Sequence, residues 1–360
     1  MDRVENKLSI IIPIFNEKKL LLKFFTDLFS AYSNHYVNYV IINDGSYDGS
    51  ELWLKENIEP LANKKIKKIY LTKDNKFKIK HSNSKLLSKF NEIQLINHNK
   101  NIGKGAAVIN GLKKAKGNFL MILDSDMEYD TEDSLYMYET IQNGKMGDVI
   151  FGSRYTRDLP HRHRYYLHTL ANKLNTYLFN IFFSSHISDI HCGLKIFSRD
   201  VYKKIRLSSY DFSIDLDLGT QIAKSGFLIS EVGVSYYSRS YYEGKKITWL
   251  DGLLSYYYIF KFRFIKNNIK NNLLIYLSMT TGLITGLHFG QGIGKILATI
   301  FCVFLGSIYG IRGSFLGLLL LIVFMLVGSQ FGNGLVQIFA TAIFAFTAIF
   351  LSNKLDKRNK

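Results

Sequence analysis

Two cysteines in 360 residues are too few for a disulfide framework, and they offer no metal-ligand spacing. Cys302 lies in an apolar run, which argues against a bridge to Cys192. The N-terminal stretch is not expected to act as a secretory leader. The opening MDRVENKLSIIIPIFNE has a short apolar run interrupted by Pro13, Asn16 and Glu17, so the front half is expected to stay in the cytoplasm. Charge is nearly absent from one long stretch. From Leu273 to Asn353 the only Lys, Arg, Asp or Glu are Lys295 and Arg312. A water-soluble domain of that length would show a charged face, so a membrane-embedded tail is expected behind a soluble front half. Acidic residues are missing from Gly252 to Asn272, where Lys261, Arg263, Lys266 and Lys270 precede the apolar tail. That stretch, 251–272, reads as a basic juxtamembrane helix suited to anionic headgroups. The formal net charge of +17 comes without a basic face carrying a nucleic-acid-binding motif, so nucleic acid is rejected as a partner.

The tail, 273–353, divides at Gly and charge marks into about four apolar segments: Leu273–Phe289, Ile296–Ile311, Phe315–Phe331 and Leu335–Leu351. Each is near the lower limit for a spanning helix. Two longer hairpins or re-entrant segments are the alternative. An even number of spans returns the chain to its starting side. The basic flanks at 261–270, Arg312 and 354–360 then all face the cytoplasm, with Lys295 the exception. The expectation is an integral membrane protein with its catalytic domain and both termini cytoplasmic. A homo-oligomer is left open.

The front half, 1–250, alternates strand and helix patterns. Leu8–Ile14 is a β-branched apolar run, read as a buried strand, and Lys18–Tyr32 has helical spacing. Tyr39–Ile42 is a second strand, followed by a helical pattern at 50–58 and a third strand at Ile66–Leu71. Lys73–Asn91 is rich in Lys and Asn and reads as a mobile surface insertion. Gln94–Asn97 is a fourth strand, Gly103–Ala115 a helix, and Phe119–Leu123 a fifth strand. Such alternation predicts an α/β domain with a mostly parallel sheet and helices on both faces. Ligands of these sheets sit at the carboxyl ends of the strands, where Asp44 and Asp124-Ser125-Asp126 fall.

Two carboxylates one residue apart, released from a buried strand, suit a hard cation, and Mg²⁺ or Mn²⁺ with oxygen ligands suits a diphosphate. A solvated turn is the plainer reading of a lone D-x-D. The preceding Leu120-Met121-Ile122-Leu123 favours the metal, and Glu128 is placed to complete the set. Asp44, within Asn43-Asp44-Gly45-Ser46, is suited to a base or ribose, or to ordinary turn chemistry. Gly103-Lys104-Gly105 opens a helix whose N–H groups and lysine suit a phosphate, though it is also an ordinary loop. Residues 165–183 and Leu253–Phe264 combine aromatics with few charges. A buried core helix is the plain reading of each, and a helix in the headgroup layer fits the second better.

Seven motifs stand in one order: P-I-F-N-E at 13–17, N-D-G-S at 43–46, N-I-G-K-G-A-A at 101–107, D-S-D-M-E at 124–128, G-S-R-Y at 152–155, D-I-H-C-G-L-K-I-F at 189–197 and Y-Y-S-R-S-Y-Y-E-G-K-K-I at 236–247. Over about 7–250 the chain resembles family 2 glycosyltransferases, and the last two motifs resemble the polyprenyl-phosphate branch that includes dolichol-phosphate mannose synthase. The resemblance implies a GT-A-like nucleotide-sugar fold and a UDP- or GDP-linked donor. By matching positions it implies that Pro13, Glu17 and Asp44 hold the nucleotide and that Asp124, Asp126 and Glu128 hold the metal.

A lipid phosphate is already ionised and needs no general base, unlike a sugar hydroxyl. It needs cations that hold it beside an anionic donor. The candidates are Arg154, Arg164, Arg239 and Lys245, with a solvated basic loop the plain reading of Arg164. Asp215 and Asp217 fall where relatives carry acidic residues; orienting a sugar or the basic residues and capping a helix are equal readings. The expected activity is transfer of a sugar to a polyprenyl phosphate. One alternative is a polysaccharide glycosyltransferase with a hydroxyl acceptor, although Q-x-x-R-W and T-E-D are absent. The other is a non-catalytic membrane assembly partner.

Overall fold

A computed structural model describes residues 7–83, 90–156, 160–162, 164–244 and 249–264. The four expected membrane segments, the basic tail and Lys245 lie outside these residues. Among the described residues no helix is long and apolar enough to cross a membrane. The chain divides into two compact units, Met1–Ile259 and Phe260–Lys360, and the sheet and its cavity belong to the first.

The strands are β1 (Leu8–Ile14), β2 (Val37–Asn43), β3 (Ile66–Leu71), β4 (Phe77–His81), β5 (Glu92–Asn97), β6 (Phe119–Ile122), β7 (Val149–Ser153), β8 (His161–Arg162), β9 (Lys195–Ser198), β10 (Ser230–Gly233) and β11 (Tyr236–Tyr237). The helices are α1 (Lys18–Ala31), α2 (Ser50–Asn57), α3 (Lys104–Lys114), α4 (Thr131–Gln142), α5 (Tyr166–Phe183), α6 (Arg199–Lys204), α7 (Ile214–Lys224) and α8 (Trp249–Phe264). Seven strands form one sheet in the order β10-β7-β9-β6-β1-β2-β5. Its neighbours are parallel except around β9, which runs antiparallel to both β6 and β7. The fold is GT-A-like α/β.

Burial on both faces explains the unbroken apolar runs. Every residue of β2 is buried, and in β1 only Pro13 is not fully so. Helix α1 turns Leu21, Phe24, Phe25, Leu28 and Phe29 inward at helical spacing. Helix α3 lies close on the sheet because Gly111 has no side chain. A Cβ there would stand 2.5 Å from Ile11 Cγ2 and 2.7 Å from Ile42 Cδ1.

Two expectations are corrected. Ile66–Leu71 is a strand but does not join the sheet. It pairs antiparallel with β4, inside the stretch read as a mobile insertion. Lys68 stands opposite Lys80 and Tyr70 opposite Lys78, so one face of the pair is solvated. The other is held because Phe77 packs edge-on against Phe29 and Trp53. Aromatic contacts across the fold thus order a segment whose own composition is polar. The second correction concerns 165–183. Helix α5 buries Asn175, Thr176, Phe179 and Phe183, while Tyr166, Leu167, Leu170, Leu174, Tyr177 and Ile181 are exposed. It is not a core helix; most of its apolar side faces outward.

Gly111→Val should destabilise the domain by about 1–3 kcal/mol, since the added carbons must push α3 off β1 and β2. Urea unfolding followed by tryptophan fluorescence checks this, and an unchanged midpoint would mean that α3 does not pack as described.

Candidate active site

The loops that leave β1, β2 and β6 converge at the carboxyl edge of the sheet. After β1 the chain turns through Asn16, whose φ of 53° a short amide side chain tolerates. The Asn16 side-chain oxygen accepts from the Tyr47 N–H at 2.9 Å, and its own N–H donates to Ser46 Oγ at 3.0 Å. The Glu17 N–H donates to Ser50 Oγ, so the first two loops are tied together. Ser125 Oγ donates to the Pro13 carbonyl at 3.2 Å, which ties in the third.

A cavity of about 600 Å³ opens at this edge. It is lined by Pro13, Glu17, Asp44, Lys104, Asp124, Asp126, Glu128, Arg154, Arg164, Asp215 and Arg239, whereas Asp217 is outside its lining and Lys245 outside the described residues. Its volume is of the size that takes a small ligand or cofactor.

Within the cavity many of these side chains already have protein partners. The carboxylate of Asp44 is filled by its own protein. It accepts from the Ile102 and Gly103 N–H groups at 3.0 and 2.9 Å, from Asn101 Nδ2 at 3.0 Å, and pairs with His98 Nδ1 at 2.7 Å. Asp44 therefore shapes the turn into α3. Within the first turn of that helix the Ala106 N–H donates to the Tyr210 carbonyl at 3.1 Å. A side chain at Gly103 or Gly105 would collide with the carbonyl of Tyr210 or Ser209, at 2.3 and 2.1 Å. Lys104 reaches into the cavity, with Nζ 2.8 Å from Asp124 and 3.4 Å from Asp215.

The carboxylates crowd one another. Burial raises Asp124, with Lys104 opposing and Asp126 and Asp215 adding. Burial also raises Asp126, reinforced by Glu128 and opposed by Arg239. The Glu128 N–H donates to Asp126 Oδ1 at 3.1 Å, and Glu128 accepts from the Tyr236 hydroxyl and the Arg239 N–H, both at 3.0 Å. Glu17 takes the Arg239 guanidinium at 2.8 and 3.3 Å. Among the described residues no three acidic, imidazole or thiol groups converge to enclose an ion; Lys104 pairs with Asp124, and Arg239 with Asp126. The donor set itself, carboxylate oxygens of Asp124, Asp126 and Glu128 in excess of their cations, suits a hard divalent ion.

Other charges answer other needs. Burial would raise Asp215, but Lys104 and Lys195 outweigh it and hold the group below the ordinary carboxylate range. Lys195 is fully buried and lies 2.6 Å from Asp215. Asp217 accepts from the Ser208 and Ser209 N–H groups at 2.7 and 3.0 Å, which fixes the 208–209 turn. Arg154 is held in a fork by Asp189 at 2.6 and 2.8 Å, with its guanidinium 5.0 Å from the Tyr236 ring centre. Arg164 donates to the Ser238 carbonyl at 3.2 Å and pairs with Glu243 at 3.1 Å. Asp189 and Lys195 were given no role from sequence. The available signal was a charge set within or beside a short apolar strand, where it must be paired.

Two outcomes follow from this shell. Asp189→Ala leaves the Arg154 charge buried and alone, and should destabilise by about 3–5 kcal/mol in chemical denaturation. His191 is held neutral: burial and Arg154 lower it from 6.5 to about 4, against the pull of Asp189. The unfolded chain therefore takes up this proton first, and the histidine's contribution, complete above pH 6.5, is lost as pH falls toward 4. His191→Gln should flatten the stability profile in that window by about 3 kcal/mol, read from denaturation midpoints at several pH values.

Comparison with known proteins agrees with this edge. A low-salt glycan biosynthesis hexosyltransferase of Haloferax volcanii is 25% identical over 38% of this chain and 33% of its own length. A dolichol-phosphate mannosyltransferase of Pyrococcus furiosus is 27% identical over 42% and 34%. A dolichyl-phosphate beta-glucosyltransferase of Trichomonas vaginalis is 23% identical over 65% and 67%. The chain thus spans about a third of the length of the first two. The family model described as Glycosyl transferase family 2 matches residues 9–80 and 78–206, which hold β1 through β9 and the carboxylate loops, and the chain belongs to that family.

Proposed function

We propose that the chain transfers a sugar from a nucleotide-sugar donor to a polyprenyl phosphate at the cytoplasmic face of a membrane. The observation that carries this reading is one cavity with carboxylates at 124–128 and three arginines, Arg154, Arg164 and Arg239, along its lining. Helix α5 supports it: Leu167 and Ala171 line the cavity while Leu170, Leu174 and Ile181 present apolar surface outside it. Two relatives are named for dolichol-phosphate transfer. In this reading residues 1–250 are the catalytic domain, 251–272 an interfacial helix and 273–353 the membrane anchor of about four helices, with both termini cytoplasmic.

The chemistry is a displacement at the anomeric carbon. A phosphate oxygen of the lipid forms the new bond, the bond to the nucleoside diphosphate breaks, and the pair leaves with the diphosphate. No proton need move. The residues that would hold a Mg²⁺ or Mn²⁺ ion are Asp124, Asp126 and Glu128, and the ion would neutralise charge on the leaving diphosphate. Pro13 and the Glu17 loop border the nucleotide end, with Asp44 acting through the 101–103 turn. Arg239, and Arg164 behind it, hold the lipid phosphate; Arg154 is a fixed charge beside them. A hydroxyl acceptor would need a base. Asp215 is a poor one, since two lysines keep it ionised and below the ordinary carboxylate range.

Membranes holding the protein, given radiolabelled nucleotide sugars, should pass label into the organic phase. Asp126→Ala should abolish transfer. Arg239→Ala should lose nearly all of it and Arg239→Lys about ten- to a hundredfold, because an ammonium cannot replace the guanidinium fork. Label appearing only in water-soluble glycan, with Asp215→Asn inactive and Arg239→Ala mildly impaired, would replace the lipid phosphate with a hydroxyl acceptor.

A further inference from the structure

Arg239 stands where the demand for positive charge is greatest. NH1 donates to Glu17 at 2.8 Å, and NH2 to Glu17 at 3.3 Å and to Asp126 at 3.1 Å. Nε lies 3.8 Å from Glu128. One guanidinium therefore serves three carboxylates from two strand ends. Oxygens of Glu17 and Asp126 already meet at a single nitrogen, as they would around a cation. A guanidinium cannot lose its proton in a protein, so it cannot share these oxygens with a second cation by becoming neutral. Two such charges within a few ångströms, away from water, repel strongly.

Resting on the reading of Asp126 and Glu128 as divalent-cation ligands, we propose that Arg239 and the cation are alternative occupants of these two carboxylates, with Glu17 keeping hold of the displaced arginine. Glu17 is suited to this because it belongs to the β1 loop and not to the 124–128 turn. The exchange turns guanidinium N–H groups from protein carboxylates to the cavity, where an acceptor phosphate can take them. It sets an order: the site becomes cationic toward the lipid phosphate only after the metal and its donor have arrived. Premature capture of the acceptor is thereby suppressed.

The test uses the full-length protein with Mn²⁺ alone, without donor or lipid, and follows free Mn²⁺ by electron paramagnetic resonance. If Arg239 occupies the carboxylates about nine-tenths of the time, the apparent affinity is reduced about tenfold, and Arg239→Gln should regain it. Arg164→Gln removes a cavity charge that does not touch Asp126 and should match the wild type. On the wild type, phenylglyoxal labelling of Arg239, read by peptide mass spectrometry, should rise when Mn²⁺ is added. Equal or weaker Mn²⁺ binding by Arg239→Gln, an equal gain in Arg164→Gln, or labelling that does not rise would overturn the exchange. Neither measurement contains sugar or lipid, so the acceptor assignment can fail while this exchange stands, and the reverse.

Discussion

Negative charge collected at the carboxyl edge of a buried sheet must be answered by positive charge from elsewhere in the chain. Three strand ends deliver carboxylates: Glu17 after β1, Asp44 after β2, and Asp124, Asp126 and Glu128 after β6. Buried anions without partners are not tolerated. Lys104 and Lys195 meet Asp124 and Asp215, and Arg239, 222 residues from Glu17, closes the other side. The docking of the 234–243 segment over the sheet is therefore the physical counterpart of the acidic edge.

Several charges in and around the cavity are satisfied within the protein. Asp44 and Asp217 are filled by backbone N–H groups and hold turns in place. The Arg154–Asp189 pair is extended by Glu231, which accepts from the Ser188 and Asp189 N–H groups at 2.8 and 3.1 Å. These groups give the cavity rigid walls. Asp126, Glu128 and Arg239 pair with one another instead, and the exchange proposed above rests on these three.

Sheet strands β1, β2, β5 and β6 were legible from their apolar runs, most plainly in Leu8–Ile14 and Val37–Asn43, which are buried on both faces, whereas the short β7, β9 and β10 were not read from the sequence. The carboxylate loops were legible because an Asp just beyond such a run can point only to the sheet's edge. The β3–β4 pair was not: its lysines carry no pattern, and its order comes from Phe77 meeting aromatics of α1 and α2. The exposure of α5 was not legible either, since an apolar helix reads the same whether it faces a core or the outside.

The sequence by itself determined the α/β class, the acidic edge and the residues gathered there, since strand composition and the turn that follows are local properties. Only the tertiary structure decided who pairs with whom. That Asp44 is filled by its own turn, that two lysines keep Asp215 ionised, and that Arg239 sits among three carboxylates depend on contacts between distant segments. No local pattern encodes such contacts, because a charge finds its partner by the path of the fold and not by spacing along the chain.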